Sequence, residues 1–280
     1  MAKVYRRPSL AELFQFEPEE SDETGKAKYR GVFGWLCGYS ADAYFLNDAV
    51  ERFSTLSENR RSFAGRCYLA TLLDRGNAQI SPSDVPGVLH LPFRPGKIPF
   101  ALLHAKVAIL GFQHETDPAR WACRLVVSSG NWTRQTLEES LDVAYKVDVT
   151  SEDLRSATQD STNNCSDLIA AWKLLKWLKP LFDLRVIENP TLGSETRQAI
   201  LALEEWMKQV ESSASAEPFR FIDNREIPFI EQLPTLLARR APGKRNYIGM
   251  GSGFFESSDR TDKIPSVLAR INESLQESSL

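Results

Sequence analysis

In the stretch Ala101–Phe112, ALLHAKVAILGF, an imidazole and an ammonium stand two residues apart inside an apolar run. His104 belongs to the residue type that acts as nucleophile or proton carrier near neutral pH. Lys106 can donate to an oxygen as negative charge develops on it. Downstream, RLVVSSGNWT leads through apolar Leu125–Val127 to the small polar Ser129 and the amide of Asn131, and Asp142 follows eleven positions later. A hydroxyl, an amide, a carboxylate, an imidazole and an ammonium suit attack on a phosphodiester. In that scheme His104 supplies the nucleophile. Lys106 and Asn131 donate to the non-bridging oxygens, one such donor being worth about 10²–10³ in rate. Asp142 orients and electrostatically supports the His104 ring, as the acid does in other triads. The scheme calls for no cofactor and no metal, because cationic donors take the metal's place.

Positioning such a set needs neighbouring strands. If Ala101–Phe112 is a strand, Leu103, Ala105, Val107 and Ile109 cover one face, and His104 and Lys106 share the other with Ala108 and Leu110. A buried ammonium without a partner is costly, so this face needs a counterion, a ligand or a wet cleft. FQHETDPARWAC reads as a hairpin-like connection to the next strand, Arg124–Ser129, and SLDVAYKVDV as a third. Upstream, YRGVFGWLCGYS and RCYLATLLD read as strands and ADAYFLNDAVERFSTL as a helix, while SPSDVPGVLHLPFRPGKIPF is rich in proline and glycine and reads as loop. Beyond Thr150, CSDLIAAWKLLKWLKPLFD, SETRQAILALEEWMKQV (with Ser194 as its cap) and IPFIEQLPTLLARR carry helical spacing. NYIGMGSGFF looks like a strand ending in a glycine-rich turn, before the helix-like DKIPSVLARINESL. Strands interleaved with helices predict an α/β fold with a mixed sheet flanked by helices.

The chain has 280 residues, 42% hydrophobic and 25% charged, with a net charge of −3. That is enough for one large domain or two small ones. A polyanion site must then be a local patch rather than a basic surface. The four cysteines, Cys37, Cys67, Cys123 and Cys165, form no CxxC pair, so reduced thiols in an intracellular compartment, cytoplasmic or nuclear, are expected. No secretory h-region stands at the N-terminus, and no apolar run reaches the roughly 20 residues a bilayer demands, so no membrane association is expected. Residues 1–28, polar and acidic around EPEESDETGKAK, read as a flexible arm.

Each singled-out residue also has a plainer reading. His104 could be a core histidine bonded to a backbone carbonyl. Asn131 could serve the turn after Gly130, and Asp142 could be a surface acid. Glu138 and Glu139 read as solvent-facing. Trp132 fits either core packing or the floor of a groove that stacks a base. Tyr39 and Ser40, in the turn CGYS, could line the cleft. Arg60-Arg61, Arg239-Arg240 and Lys244-Arg245 read as solvated faces before they read as phosphate tracks.

His104-Ala105-Lys106, then Ser129-Gly130-Asn131, then Asp142 resemble the half-site pattern of the phospholipase D superfamily. The aspartate usual in that family after His-x-Lys would fall at Gly111 and is absent. The tyrosyl-DNA phosphodiesterase branch also lacks it. GWLCGYSADAYFLN and IGMGSGFFESSDRTDKIPSVLARI are similar to the same branch, the latter to the opening of its second half. The resemblance implies a phospholipase D-like half-domain over 29–150, a helical segment over 151–245 and the start of a second half over 246–280. It also implies a hydrolase of DNA ends or DNA adducts, a nuclease or DNA-repair chemistry, working in two steps. One histidine attacks phosphorus to give a phosphohistidine, and a second protonates the leaving oxygen and then activates water.

A second histidine is the difficulty. The other two, His90 and His114, are followed by Leu91-Pro92 and Glu115-Thr116, so neither opens another His-x-Lys. Three explanations stand side by side: a missing C-terminal half, a homodimer that brings two copies of His104 together, or a non-catalytic half that only binds. Cleavage of phospholipid is a further alternative, without a membrane-binding helix to support it.

Overall fold

The computed structural model describes residues 9–17, 29–156, 158–189, 193–216, 220–240 and 264–277. The chain divides into two compact units, Met1–Phe221 and Ile222–Leu280.

The first unit is built on a six-stranded mixed sheet. In chain order its strands are β1 (Tyr29–Gly38), β2 (Leu69–Leu73), β3 (Val88–His90), β4 (Val107–His114), β5 (Trp121–Ser128) and β6 (Ala144–Thr150). Across the sheet the order is β3-β2-β1-β4-β5-β6. β1, β2 and β3 are parallel, and β1/β4, β4/β5 and β5/β6 are antiparallel. The helices of this unit are α1 (Ala43–Ser54), α2 (Glu58–Ala64), α3 (Arg134–Glu138), α4 (Gln159–Leu178), α5 (Arg185–Glu188) and α6 (Ser194–Ser213). The α/β class and the mixed sheet expected from the sequence are both present.

The sheet is apolar on both faces because helices cover both. On one face Trp35, Val107, Ile109, Leu125 and Val147 pack with Leu168 and Trp172 of α4 and Leu203 and Trp206 of α6. On the other, Leu36, Ala108, Leu110 and Phe112 pack with Phe45 and Phe53 of α1 and with Phe14. The alternation expected along the fourth strand therefore holds, with Leu103, Val107 and Ile109 on the first face and Ala108 and Leu110 on the second. α1 begins where Asp42 accepts the Phe45 N–H at 2.8 Å, and α4 where Thr158 and Ser161 form a capping box.

Several expectations change. The strand read over Ala101–Phe112 begins only at Val107, and His104 and Lys106 lie in the segment that leads into it. Its first link outward is the Lys106 carbonyl, which accepts the Ser128 N–H at 3.0 Å. Val88–Leu89–His90, read as loop, is edge strand β3. It is short and fenced by prolines, which hid it. The presumed arm is not wholly loose: Leu10–Phe14 forms a 3₁₀ turn with a Ser9/Glu12 capping box, and Phe14 is fully buried. Ser194 is the first residue of α6 rather than its cap, which is Gly193. The helical segment is not separate from the sheet, since α4 and α6 form one of its two covers and the boundary falls after Phe221 rather than after Arg245.

In the second unit α7 (Phe229–Arg240) and α8 (Ser266–Glu277) pack on each other. Both were expected as helices. The strand expected over NYIGMGSGFF and the basic pair Lys244-Arg245 lie outside the described residues.

Candidate active site at one end of the sheet

Strand register decides what meets what. Gly38 pairs with Leu73, Cys37 with Val107, Val107 with Val127, and Ser128 with Ala144. The residues just past or just before these pairs therefore share one end of the sheet: Tyr39, Asp74, His104–Lys106, Ser129–Asn131 and Asp142. This is also the carboxyl end of the parallel strands, where open α/β sheets tend to hold ligands.

At that end His104 and Lys106 touch. Lys106 Nζ lies 3.0 Å from His104 Nδ1 and 3.1 Å from Nε2. Lys106 is only 6% exposed, whereas His104 is open to solvent. Burial, then the Lys106 charge, push the imidazole below its ordinary basicity, and Asp74 opposes them. Burial likewise lowers Lys106, and Asp142 opposes it. The imidazole is thus held neutral, with a lone pair available, beside a cation. The Tyr39 ring lies 5.3 Å from the His104 ring, centroid to centroid, and is 38% exposed.

Ser129 and Asp142 form a second group. Ser129 Oγ donates to Asp142 Oδ1 at 2.7 Å and accepts the Val143 N–H at 2.9 Å. The intervening Gly130 has to be glycine: a Cβ there would stand 2.6 Å from Asp142 Oδ2. Asp142 was expected to orient His104. Its bonded partner is instead Ser129, and its charge acts on Lys106. The acid whose charge reaches His104 is Asp74 at the end of β2, which the sequence reading passed over. Its only signal was a carboxylate closing the apolar run LATLLD.

Asn131, in the turn after β5, is half-buried, and its Oδ1 is buried with no hydrogen-bond partner among the described residues. Its place is fixed by its neighbour. Trp132 donates its N–H to the Ser40 carbonyl at 3.1 Å and accepts the Asp42 N–H at 3.0 Å. Its indole donates to the Cys37 carbonyl at 2.9 Å and packs on Phe14 and Phe45. Trp132 is fully buried, which decides between its two readings against the groove floor: it is core, and it locks the turn that carries Asn131. It also explains Gly38, where a Cβ would stand 2.7 Å from the indole ring. Ser40 contributes a backbone carbonyl to this lock. Glu138 pairs with Arg134 at 2.7 Å on the exposed surface, as expected of a solvent-facing acid.

Gly111, where the resemblance would place an aspartate, is closed to a side chain. A Cβ at Gly111 would stand 2.9 Å from Leu203 and 3.1 Å from Trp206, so α6 occupies the space a side chain would need. The other two histidines are committed elsewhere. His90 Nδ1 accepts the Ile80 N–H at 3.0 Å, and His114 Nδ1 accepts the Asp117 N–H at 3.1 Å in the β4–β5 turn. Among the described residues no three His, Cys, Asp or Glu side chains gather where a metal ion could be held, and no helix is long and apolar enough to cross a membrane.

Fold and site together define an α/β protein with an imidazole–ammonium pair at the end of a mixed sheet. Compared with family models, with curated proteins and with solved structures, the chain finds no match.

Proposed function

We propose that this end of the sheet is one half-site of a phosphodiesterase that uses His104 as nucleophile through a phosphohistidine, in the manner of the phospholipase D superfamily and its tyrosyl-DNA phosphodiesterase branch. The observation that carries the reading is the contact of a covered Lys106 ammonium with a solvent-open His104 imidazole, 3.0 Å apart. A neutral imidazole can attack phosphorus, the P–O bond to the leaving group breaks, and the adjacent ammonium neutralises the charge on the non-bridging oxygens. In this scheme the Asn131 amide nitrogen donates to the same phosphoryl group. Asp142, held by Ser129, keeps Lys106 charged. A DNA end or DNA adduct is the proposed substrate, its approach lined by Tyr39.

The scheme needs a second imidazole to protonate the leaving oxygen, and His90 and His114 are both bonded in other places. A second copy of this chain, or a further half outside it, has to supply that group. The same observation favours a second reading, a non-catalytic half that binds phosphate-rich ligands.

The test is cleavage of an oligonucleotide bearing a 3′-phosphotyrosyl end, with and without EDTA, by the wild-type chain and His104→Ala, alongside sedimentation. Activity that survives EDTA and vanishes in the variant supports the enzyme. A monomer that binds the oligonucleotide in a steeply salt-dependent way without turnover supports the binding module. EDTA-sensitive cleavage indifferent to His104 refutes the first reading. Cleavage of lipid vesicles but not of the oligonucleotide redirects it to phospholipid.

A further inference from the structure

Asp74 is a buried acid whose cost needs a reason. It is 6% exposed and stands just past the end of β2. Its Oδ2 accepts the Leu103 N–H at 2.7 Å and its Oδ1 the Gly76 N–H at 3.0 Å, and its own N–H donates to the Gly38 carbonyl at 2.9 Å. The carboxylate therefore ties the backbone immediately before His104 to the end of β2, which the Asp74 N–H in turn ties to β1. Among the described residues it has no ion pair. A neutral serine or asparagine would be cheaper to bury, if holding one amide were the whole task.

The charged and titratable groups around His104 come from four elements. Lys106 stands on its own segment, Asp74 follows β2, Tyr39 follows β1, and Asp142 precedes β6 and acts on Lys106. Asp74 is the acid among them whose field reaches the imidazole.

We propose that Asp74 is a positioning residue of this site: its buried carboxylate anchors the backbone that carries His104 and gives the imidazole an anionic counterpart to Lys106. The kinetic consequence rests on the reading of His104 as nucleophile. The anchoring and the charge do not. Without the anchor, the Leu103 amide loses its acceptor and His104 is free to swing from its place beside Lys106. A misplacement of about 1 Å can cost about a hundredfold in rate.

The experiment is a proton-NMR titration of the three imidazoles in the wild-type chain, Asp74→Asn and Asp74→Glu, paired with the oligonucleotide assay. Asn keeps the size and one acceptor but loses the charge. The His104 midpoint is expected to move further below the wild-type value in Asp74→Asn while His90 keeps its own, and turnover to fall about tenfold to a hundredfold. Asp74→Glu keeps the charge and shifts the anchor, so turnover still falls while its His104 midpoint does not drop below the wild-type value as it does in Asp74→Asn. An unmoved His104 midpoint in Asp74→Asn overturns the electrostatic role, and wild-type turnover in Asp74→Glu overturns the anchor. If Asp74→Asn does not fold, the Glu variant carries the test alone. A chain that never cleaves the oligonucleotide but shows the expected titration shift sinks the phosphodiesterase reading and leaves Asp74 as the His104 partner.

Discussion

Two buried cations, one on β5 and one just before β4, live very differently. Arg124, in the middle of β5, is 3% exposed and saturated. It donates through Nε and Nη2 to both oxygens of Asp148, at 2.6 and 2.8 Å, and through Nη1 to the carbonyls of Leu13 and Gln15, at 2.8 and 2.7 Å. Phe16 and Phe112 lie under its guanidinium. Lys106, just before β4, is 6% exposed and meets only the ring of His104 among the described residues. By strand alternation both project from the α1 face. Arg124 spends its charge on the fold, sewing residues 9–17 to the sheet. Lys106 has no such bonds to the fold beyond the His104 ring, and in the proposed reading its charge is kept for an anion. A covered cation is a structural group when its partners are protein, and a functional one when a partner is still wanting.

The comparison breaks first, and with the largest effect, at Arg124. Arg124→Met should destabilise the chain by about 3 kcal/mol in urea or thermal unfolding, because two backbone carbonyls and most of Asp148 lose their partner. Lys146 remains 3.3 Å from Asp148 and keeps the loss from being larger. Proteolysis within residues 9–17 should quicken. A loss below about 1 kcal/mol would mean that Arg124 is no more committed than a surface ion pair.

Lys106→Met should do the reverse. Stability should stay within about 1 kcal/mol or rise, since a buried cation with incomplete compensation is replaced by an apolar chain of similar length. Cleavage of the phosphotyrosyl oligonucleotide should fall about 10²–10³-fold. His104 should titrate higher than in the wild type, because the Lys106 charge that depresses it has gone. A Lys106→Met chain that unfolds like Arg124→Met would erase the distinction.

This contrast also marks what the sequence could carry. His104 and Lys106 drew attention because they interrupt an apolar run, and Ser129, Asn131 and Asp142 because they follow the next one; strand register brings the five positions to one end of the sheet. All but one of the strands announced themselves by apolar runs or alternation, and β3 escaped because a three-residue edge strand offers no period to count. Asp74 escaped because an acid at a strand end looks like the start of a loop. Its value lies in a bond to Leu103, twenty-nine positions away, which spacing does not reveal. Trp132 stayed open between two readings for a related reason. A tryptophan beside a polar turn reads equally as a stacking platform or as core, and only the packing of Phe14 and Phe45 decides. Trp132→Phe should accordingly cost about 1–2 kcal/mol, through the Cys37 carbonyl left without its donor, and leave the substrate KM unchanged.

The smallest effect separates two imidazoles in the way Arg124 and Lys106 separate two cations. His90, 7% exposed at the end of β3, accepts a hydrogen bond from the Ile80 backbone, and burial lowers its basicity. Protonation of its Nδ1 would oppose that bond with a second donor. His104 is also depressed, but it is open to water, which can solvate its cation. The sign follows from linkage. Both rings bind a proton more readily in the unfolded chain, near the ordinary value of 6.5, than in the folded one. The stability they contribute is therefore complete above that pH and drains away as the pH falls through and below it. Urea unfolding from pH 7.5 to 5.5 should show the decline. His90→Gln should remove most of it at the expense of overall stability, and His104→Gln should remove less. If His104→Gln flattens the profile more than His90→Gln does, the imidazole at the site is the more strongly desolvated of the two, and its exposure to an incoming phosphate would have to be abandoned.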